Sequence, residues 1–158
     1  MFSQSVLRTA LWLSLGTWVG SWGFFAFVVS RIAFQVLPGD VAGDLAGSLL
    51  TILHFGGAVA ALVAAGAAIA LGRRGWVVGL PVALAIVCLS SEIWLGPEVA
   101  AVRPSTQGAQ STVEIGQRFR LLYGISLGLF MIVHLASVLL IVLHARLDAR
   151  MARSELEG

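Results

Sequence analysis

The chain has little charge of either sign. Only 11% of its 158 residues are Asp, Glu, Lys or Arg, whereas 58% are hydrophobic, and the mean hydropathy is +0.94. A water-soluble domain carries about a quarter of its residues as charged side chains. The composition therefore excludes a soluble globule and predicts an integral membrane protein in contact with the lipid bilayer. Lysine is absent, and all ten basic residues are arginine. This bias, with the abundance of Ala, Gly and Val, indicates a bacterial, GC-rich coding sequence.

Other scarcities exclude whole classes of function. Cys88 is the only cysteine, so no disulfide can form within the chain. The net charge is +2 and no basic run is longer than Arg73-Arg74, which argues against a nucleic-acid partner. The sequence contains no nucleophile–base set, phosphate-binding loop or carboxylate pair. We therefore expect a protein that is not an enzyme, and no cofactor is predicted.

Four long hydrophobic segments are present, and a helix needs roughly 20 residues to cross about 30 Å of hydrocarbon. They predict an all-α polytopic membrane protein, a four-transmembrane-helix bundle that forms one membrane domain over residues 1–158. Pro38-Gly39 and Gly96-Pro97 are helix-stopping pairs. The predicted helices cover residues 11–37, 45–71, 76–95 and 121–144. A non-cytoplasmic loop at 96–120 joins the last two helices, and a cytoplasmic tail at 145–158 follows the fourth. The first segment is too long for a signal peptide, which favours a retained anchor.

Arginine placement predicts the orientation. Six arginines fall on the side of both termini and four on the other side: Arg8, Arg73, Arg74, Arg146, Arg150 and Arg153 against Arg31, Arg103, Arg118 and Arg120. Short cytoplasmic loops carry an excess of positive charge. We therefore expect both termini to be cytoplasmic, in the bacterial cytoplasmic (inner) membrane.

Glycines recur at a spacing of four, which places them on one helix face and allows close helix contact. The pairs are Gly16 with Gly20 and Gly124 with Gly128, and a third series contains Gly39, Gly43 and Gly47. They predict packing inside one bundle. The alternative is an interface with a second copy of the chain or with a partner in a membrane complex.

Ionisable residues inside the spans are expensive in lipid and point to function. Arg31 and Glu92 lie at the same membrane end and either pair or reach the headgroups separately. His54 lies about 13 Å into the membrane and His134 about 20 Å from Arg120 along the last helix. His54 and His134 are the candidate ligands for a metal or a bis-histidine haem, but no paired-ligand spacing is present, so the residues predict no metal site. His144, beside Arg146, is predicted to be interfacial.

Short sequence motifs along most of the chain resemble those of a known family. They are Trp18, Phe24, Phe25, Phe27 and Phe34 before Leu37-Pro38, then Gly43, His54, Pro97 and the run from Phe119-Arg120 to Gly124 and Ser126. This order is similar to the uncharacterised four-helix membrane proteins typified by eukaryotic transmembrane protein two-hundred-and-five, whose signature is Phe-Arg-x-x-His-Gly-x-Ser. The chain departs from that pattern at Tyr123 and Phe130. The resemblance implies a four-span fold and a polar cluster near the outer face.

We therefore expect a polar site formed by His54, Arg31, Glu92, Arg120 and Tyr123. Three classes of function remain open for the chain. The first is assistance in handling a small solute or metal ion across the membrane, which for four spans requires oligomerisation. The second is a structural or assembly subunit that works through the glycine faces. The third is a bis-histidine haem protein for electron transfer.

Overall fold

The computed structural model describes residues 3–102 and 113–157. Four long helices account for nearly all of them: α1 is Gln4–Val36, α2 is Gly39–Ala70, α3 is Trp76–Val102 and α4 is Val113–Glu157. No strand occurs within those ranges. Each helix contains a segment long and apolar enough to cross a membrane, which confirms the all-α, four-span prediction.

The helices extend further than predicted, so several of the predicted boundaries are wrong. α1 begins at Gln4, where the Ser3 side chain accepts a hydrogen bond from the backbone N–H of Val6 at 3.4 Å. Residues 96–102 and 113–120 are helical rather than part of a 96–120 loop, and residues 145–157 of the predicted tail continue α4. This last stretch is rich in Ala, Leu, Met, Arg and Glu, all good helix formers. The predicted loop residues 103–112 lie outside the described ranges.

A π-helical segment explains why Gly96-Pro97 does not end α3. Proline has no N–H, and its ring crowds the carbonyl four residues earlier in an α-helix. Ser91–Leu95 is π-helical, with the N–H of Gly96 donating to the carbonyl of Ser91. The wider turn accommodates Pro97, and the helix resumes beyond it. α1 contains a matching π-helical segment at Phe25–Val29.

The main helix contacts among the described residues are α1 with α2, α2 with α3, α3 with α4, and α1 with α4. The core combines bulky residues of α1 with small residues of α2, namely Leu11, Leu15, Trp18 and Trp22 with Ala58, Ala61, Ala64 and Ala68. Gly57 is the closest approach, because a Cβ there would lie 2.7 Å from Nε1 of Trp18 and 3.3 Å from Nε1 of Trp22. Small residues on α2 therefore leave room for the two indole rings to pack against the helix backbone.

The glycine pairs of α1 and α4 face outward, so their predicted packing inside the chain is wrong. Gly16, Gly20, Gly124 and Gly128 are exposed, and no described atom lies within 4 Å of a Cβ built at any of them. In α1 the inward face is taken by the bulky core residues. The glycines on the opposite face are left to lipid or to another protein.

Candidate functional site

Side-chain contacts place both termini at one end of the helices. Nε1 of Trp12, near the start of α1, donates to Oδ2 of Asp148, near the end of α4, at 3.1 Å. Arg73, in the turn between α2 and α3, also donates to Asp148. We call this end the terminal side and the opposite end the distal side. Glu98 and Arg118 form an exposed ion pair of 2.8 Å at the distal side.

A polar cluster of Thr51, His54 and Glu92 lies in the distal half of the helices. Oγ1 of Thr51 donates to Oε1 of Glu92 at 2.6 Å, and Nδ1 of His54 lies 3.1 Å from Oε2 of the same carboxylate. His54 is only 6% exposed, yet Nδ1 has no hydrogen-bond partner of normal geometry within the described residues. The His54–Glu92 contact is therefore within ion-pair distance but not aligned as a hydrogen bond.

Local helix geometry produces this cluster. Thr51 and His54 are three residues apart on α2, which puts both side chains on one face. Glu92 occupies the π-helical segment of α3 and faces them across the helix contact. A Cβ at Gly96 would lie 3.3 Å from Oε1 of Glu92, so the glycine leaves space beside the carboxylate. The carboxylate thus rests between α2 and the last turns of α3.

The cluster lines a cavity of about 690 Å³ that is bordered mainly by α2 and α3, with Phe34 of α1 and Ser126 of α4. Small residues of α2 border it over three successive turns, namely Gly39, Gly43, Ala46 and Gly47. Phe34, Leu50, Pro97 and Val99 add apolar surface, while Ser48, Ser91 and Ser126 add hydroxyl groups. All three glycines of the third series therefore border this space, and no described atom lies within 4 Å of a Cβ built at Gly39 or Gly43. We call this space the distal cavity.

Aromatic rings bound the cluster on its terminal side and separate the two histidines predicted as candidate ligands. Trp22 meets His54 edge-on at a centroid distance of 5.4 Å and packs on Phe130 at 4.2 Å. Phe130 in turn stacks on His134 at 6.3 Å. Two rings thus lie between His54 and His134. No group of three or more His, Cys, Asp or Glu with metal-binding geometry occurs among the described residues.

The structure brings together two of the five predicted site residues, His54 and Glu92. Arg31 is exposed, and within the described residues it makes no ion pair with Glu92, which contacts His54 and Thr51 instead. The side chains of Arg120 and Tyr123 lie outside the described part of the chain. Thr51 was not predicted, because a helical threonine gives no signal beyond its position one turn before His54.

A family model for a domain of unknown function, DUF4149, matches residues 13–107. This is more than half of the chain and includes all three residues of the polar cluster. The chain belongs to the DUF4149 family. Comparison with curated proteins and with solved structures gives no match.

The DUF4149 protein has a second polar cluster at the terminal side, which was not predicted. Arg73 donates to Nδ1 of His144 and to Oδ1 of Asp148, whose other oxygen accepts from Trp12. His144 is fully buried among the helices at this end. Its position at the membrane interface stays a prediction. The neighbouring α2–α3 turn contains Gly72 and Gly75, which adopt positive φ angles of 73° and 75°.

The donor chemistry of Arg73 fixes the tautomer of His144. A guanidinium only donates, so Nδ1 accepts and Nε2 carries the proton of a neutral ring. Pro81 has no N–H, so it cannot donate a helical hydrogen bond to the carbonyl of Val77, four residues earlier. The His144 ring lies close to the backbone at Val77. The terminal cluster thus ties α1, the α2–α3 turn and α4 together, which makes it a stabilising contact.

Proposed function

We propose that this DUF4149 protein binds a small solute in the distal cavity and assists its handling across the membrane. The observation that carries the proposal is an ionisable pair, Glu92 and His54, lining a cavity inside membrane-spanning helices. An ionisable residue at the bilayer centre costs about 2.5–3.5 kcal/mol even on lenient scales. Such residues face the interior of the helices or a cavity, pair with one another, and mark substrate or ion pathways. The proposed role is binding and passage, without covalent chemistry.

The size and lining of the distal cavity support this proposal. Small-molecule sites typically have volumes of about 300–1,000 Å³, mostly apolar walls and a few converging polar groups. The distal cavity matches each property, with about 690 Å³ and one carboxylate. Gly43 borders the cavity, and no described atom lies within 4 Å of a Cβ built there. A larger side chain at this position therefore enters the cavity and not the helix packing.

The remaining parts of the proposal come from the sequence. We place the protein in a bacterial cytoplasmic membrane with the termini in the cytoplasm, on the arginine asymmetry. The distal cavity then faces the outside. Four spans are few for a transport path, so we include self-association in the proposal. A relation to eukaryotic transmembrane protein two-hundred-and-five is also part of it and rests on the short sequence motifs described above.

The test compares Gly43→Leu with Gly66→Leu in the purified full chain. Gly66 lies on the same helix, is exposed and does not line the cavity, so it is the matched control. Thermal unfolding is measured against a panel of organic cations, organic anions, neutral solutes and metal ions. A ligand at about 100 times its Kd stabilises the folded state by about 2.7 kcal/mol. We expect one class to stabilise the wild type and Gly66→Leu but not Gly43→Leu. Identical responses of both variants to every solute contradict the proposal.

A second candidate function is that of an assembly subunit, supported by the outward-facing glycines of α1 and α4. Small residues exposed on a membrane helix permit a close approach by another helix. Gly16→Leu or Gly124→Leu should then abolish a crosslinked complex in native membranes, while His54→Ala leaves it intact. Loss of the complex in His54→Ala alone argues against this role.

A further inference from the structure

We infer that the solute of the distal cavity is a small organic cation with one positive charge, which enters in exchange for one proton held by Glu92 and His54. This inference rests on the proposed function and names the chemical class of its ligand.

The first step is the charge balance at Glu92. On α2 the groups facing it are Thr51 and His54, of which only His54 can carry charge. No described arginine pairs with it, because Arg118 pairs with Glu98 and Arg31 is exposed. Asp44, two turns further towards the distal side on α2, has a contact of its own and is not among the described lining residues. His134 is separated from the cluster by Phe130.

A carboxylate among apolar helices requires a compensating positive charge. Within the described residues only two sources of that charge exist: a proton on the carboxyl or imidazole group, or a cation from solution. Oε2 lies 3.1 Å from Nδ1 of His54, so one proton on either group neutralises the pair. A bound cation next to Oε2 makes this proton superfluous. The proton then leaves to solvent as the cation enters, and the charge of the site is unchanged.

The lining favours an organic monocation over a bare metal ion. One carboxylate balances one positive charge, and the described residues offer no cluster of three or more metal-binding side chains. A cavity of about 690 Å³ is much larger than the coordination sphere of an ion. Its apolar part, including Phe34, Leu50 and Val99, suits the carbon atoms of a substituted ammonium group.

The test is isothermal titration calorimetry of the detergent-purified full chain with ammonium, tetramethylammonium and benzyltrimethylammonium chlorides. Repeating each titration in buffers of different ionisation enthalpy gives the number of protons released. We expect at least one of the substituted cations to release one proton per molecule bound. Its affinity should fall tenfold for each unit of decreasing pH in the range where the site holds the proton. Gly66→Leu should behave like the wild type, and Glu92→Gln should neither bind nor release protons.

Three results overturn the inference. Cation binding without proton release, or without pH dependence, removes the exchange. If Mn²⁺ binds in preference to all three ammonium ions, the inferred ligand class is wrong, but the proposed function stands. The same holds if only an anion or a neutral solute binds in a way that depends on Gly43. Failure of every solute to distinguish Gly43→Leu from Gly66→Leu removes both. The proton count is obtained on the wild-type chain, so it does not depend on the folding of Glu92→Gln.

Discussion

Removal of the Asp148 carboxylate should destabilise the protein more than any exposed charge change. Asp148 accepts from Arg73, whose side chain is only 5% exposed, and from Nε1 of Trp12. In Asp148→Ala the guanidinium keeps only the neutral His144 ring as a partner. Breaking a buried ion pair by removing one side costs about 3–5 kcal/mol. Because the Asp148 side chain is 23% exposed, we expect the low end of this range, about 3 kcal/mol.

The double variant Arg73→Met/Asp148→Leu tests the reasoning behind that magnitude. It removes both charges and leaves none uncompensated, although Nδ1 of His144 and Nε1 of Trp12 lose their partners. We therefore expect a cost of about 2 kcal/mol, below that of Asp148→Ala. The matched control is Glu98→Ala at the distal ion pair, whose side chains are 56% and 63% exposed for Glu98 and Arg118. This control should cost at most about 1 kcal/mol.

The assay is detergent-induced unfolding of the purified chain, followed by circular dichroism. The argument fails if Asp148→Ala is as mild as Glu98→Ala. It also fails if the double variant is less stable than Asp148→Ala, because the cost would then come from lost packing and not from an unpaired charge.

Three further predictions concern the core. Gly57→Ala should lower the free energy of unfolding by about 1–3 kcal/mol, because its Cβ would lie 2.7 Å from Nε1 of Trp18; Gly66→Ala is the control, and equal stabilities would contradict the packing described. Phe130→Ala should cost about 3 kcal/mol and change the tryptophan fluorescence through Trp22, whereas Phe27→Ala, at a position 76% exposed, should do neither. Cys88 is fully buried, so a maleimide should label it only after unfolding; rapid labelling of the native chain would show that this part of α3 opens.

The four spans were predictable from hydropathy because few backbone structures can cross a lipid bilayer. Every backbone polar group must be satisfied within the membrane, and a long apolar stretch does so as a helix. The helix ends were less predictable. Gly96-Pro97 stops an ordinary α-helix, and nothing in the local sequence signals the π-helical turn that lets α3 continue to Val102. The end of α3 therefore depends on backbone geometry that the usual stop signals do not encode.

For the polar sites, the local sequence predicts some of the residues, but contacts between distant parts of the chain decide how they are arranged. His54 and Glu92 were predicted for one site because both are rare ionisable residues in spans on the same membrane half. Their direct contact, and the hydrogen bond from Thr51 to Glu92, depend on how α2 and α3 are rotated against each other. The terminal cluster joins Trp12 to Asp148 across 136 positions of sequence, and no periodicity within a helix predicts such a pair.

The π-helical segment of α3 holds one residue more than an ordinary helical turn. The N–H of Gly96 donates to the carbonyl of Ser91, five residues earlier, whereas an α-helical bond spans four. Removing one residue from Ser91–Leu95 would therefore restore an α-helical turn and leave Gly96 and Val99 beside the cavity, but it would place Pro97 against an α-helical carbonyl. A deletion elsewhere in α3 would instead rotate the cavity lining by about 100° against the core. The π-helical turn is thus the position in α3 where a one-residue change in length keeps both the core and the cavity lining in register.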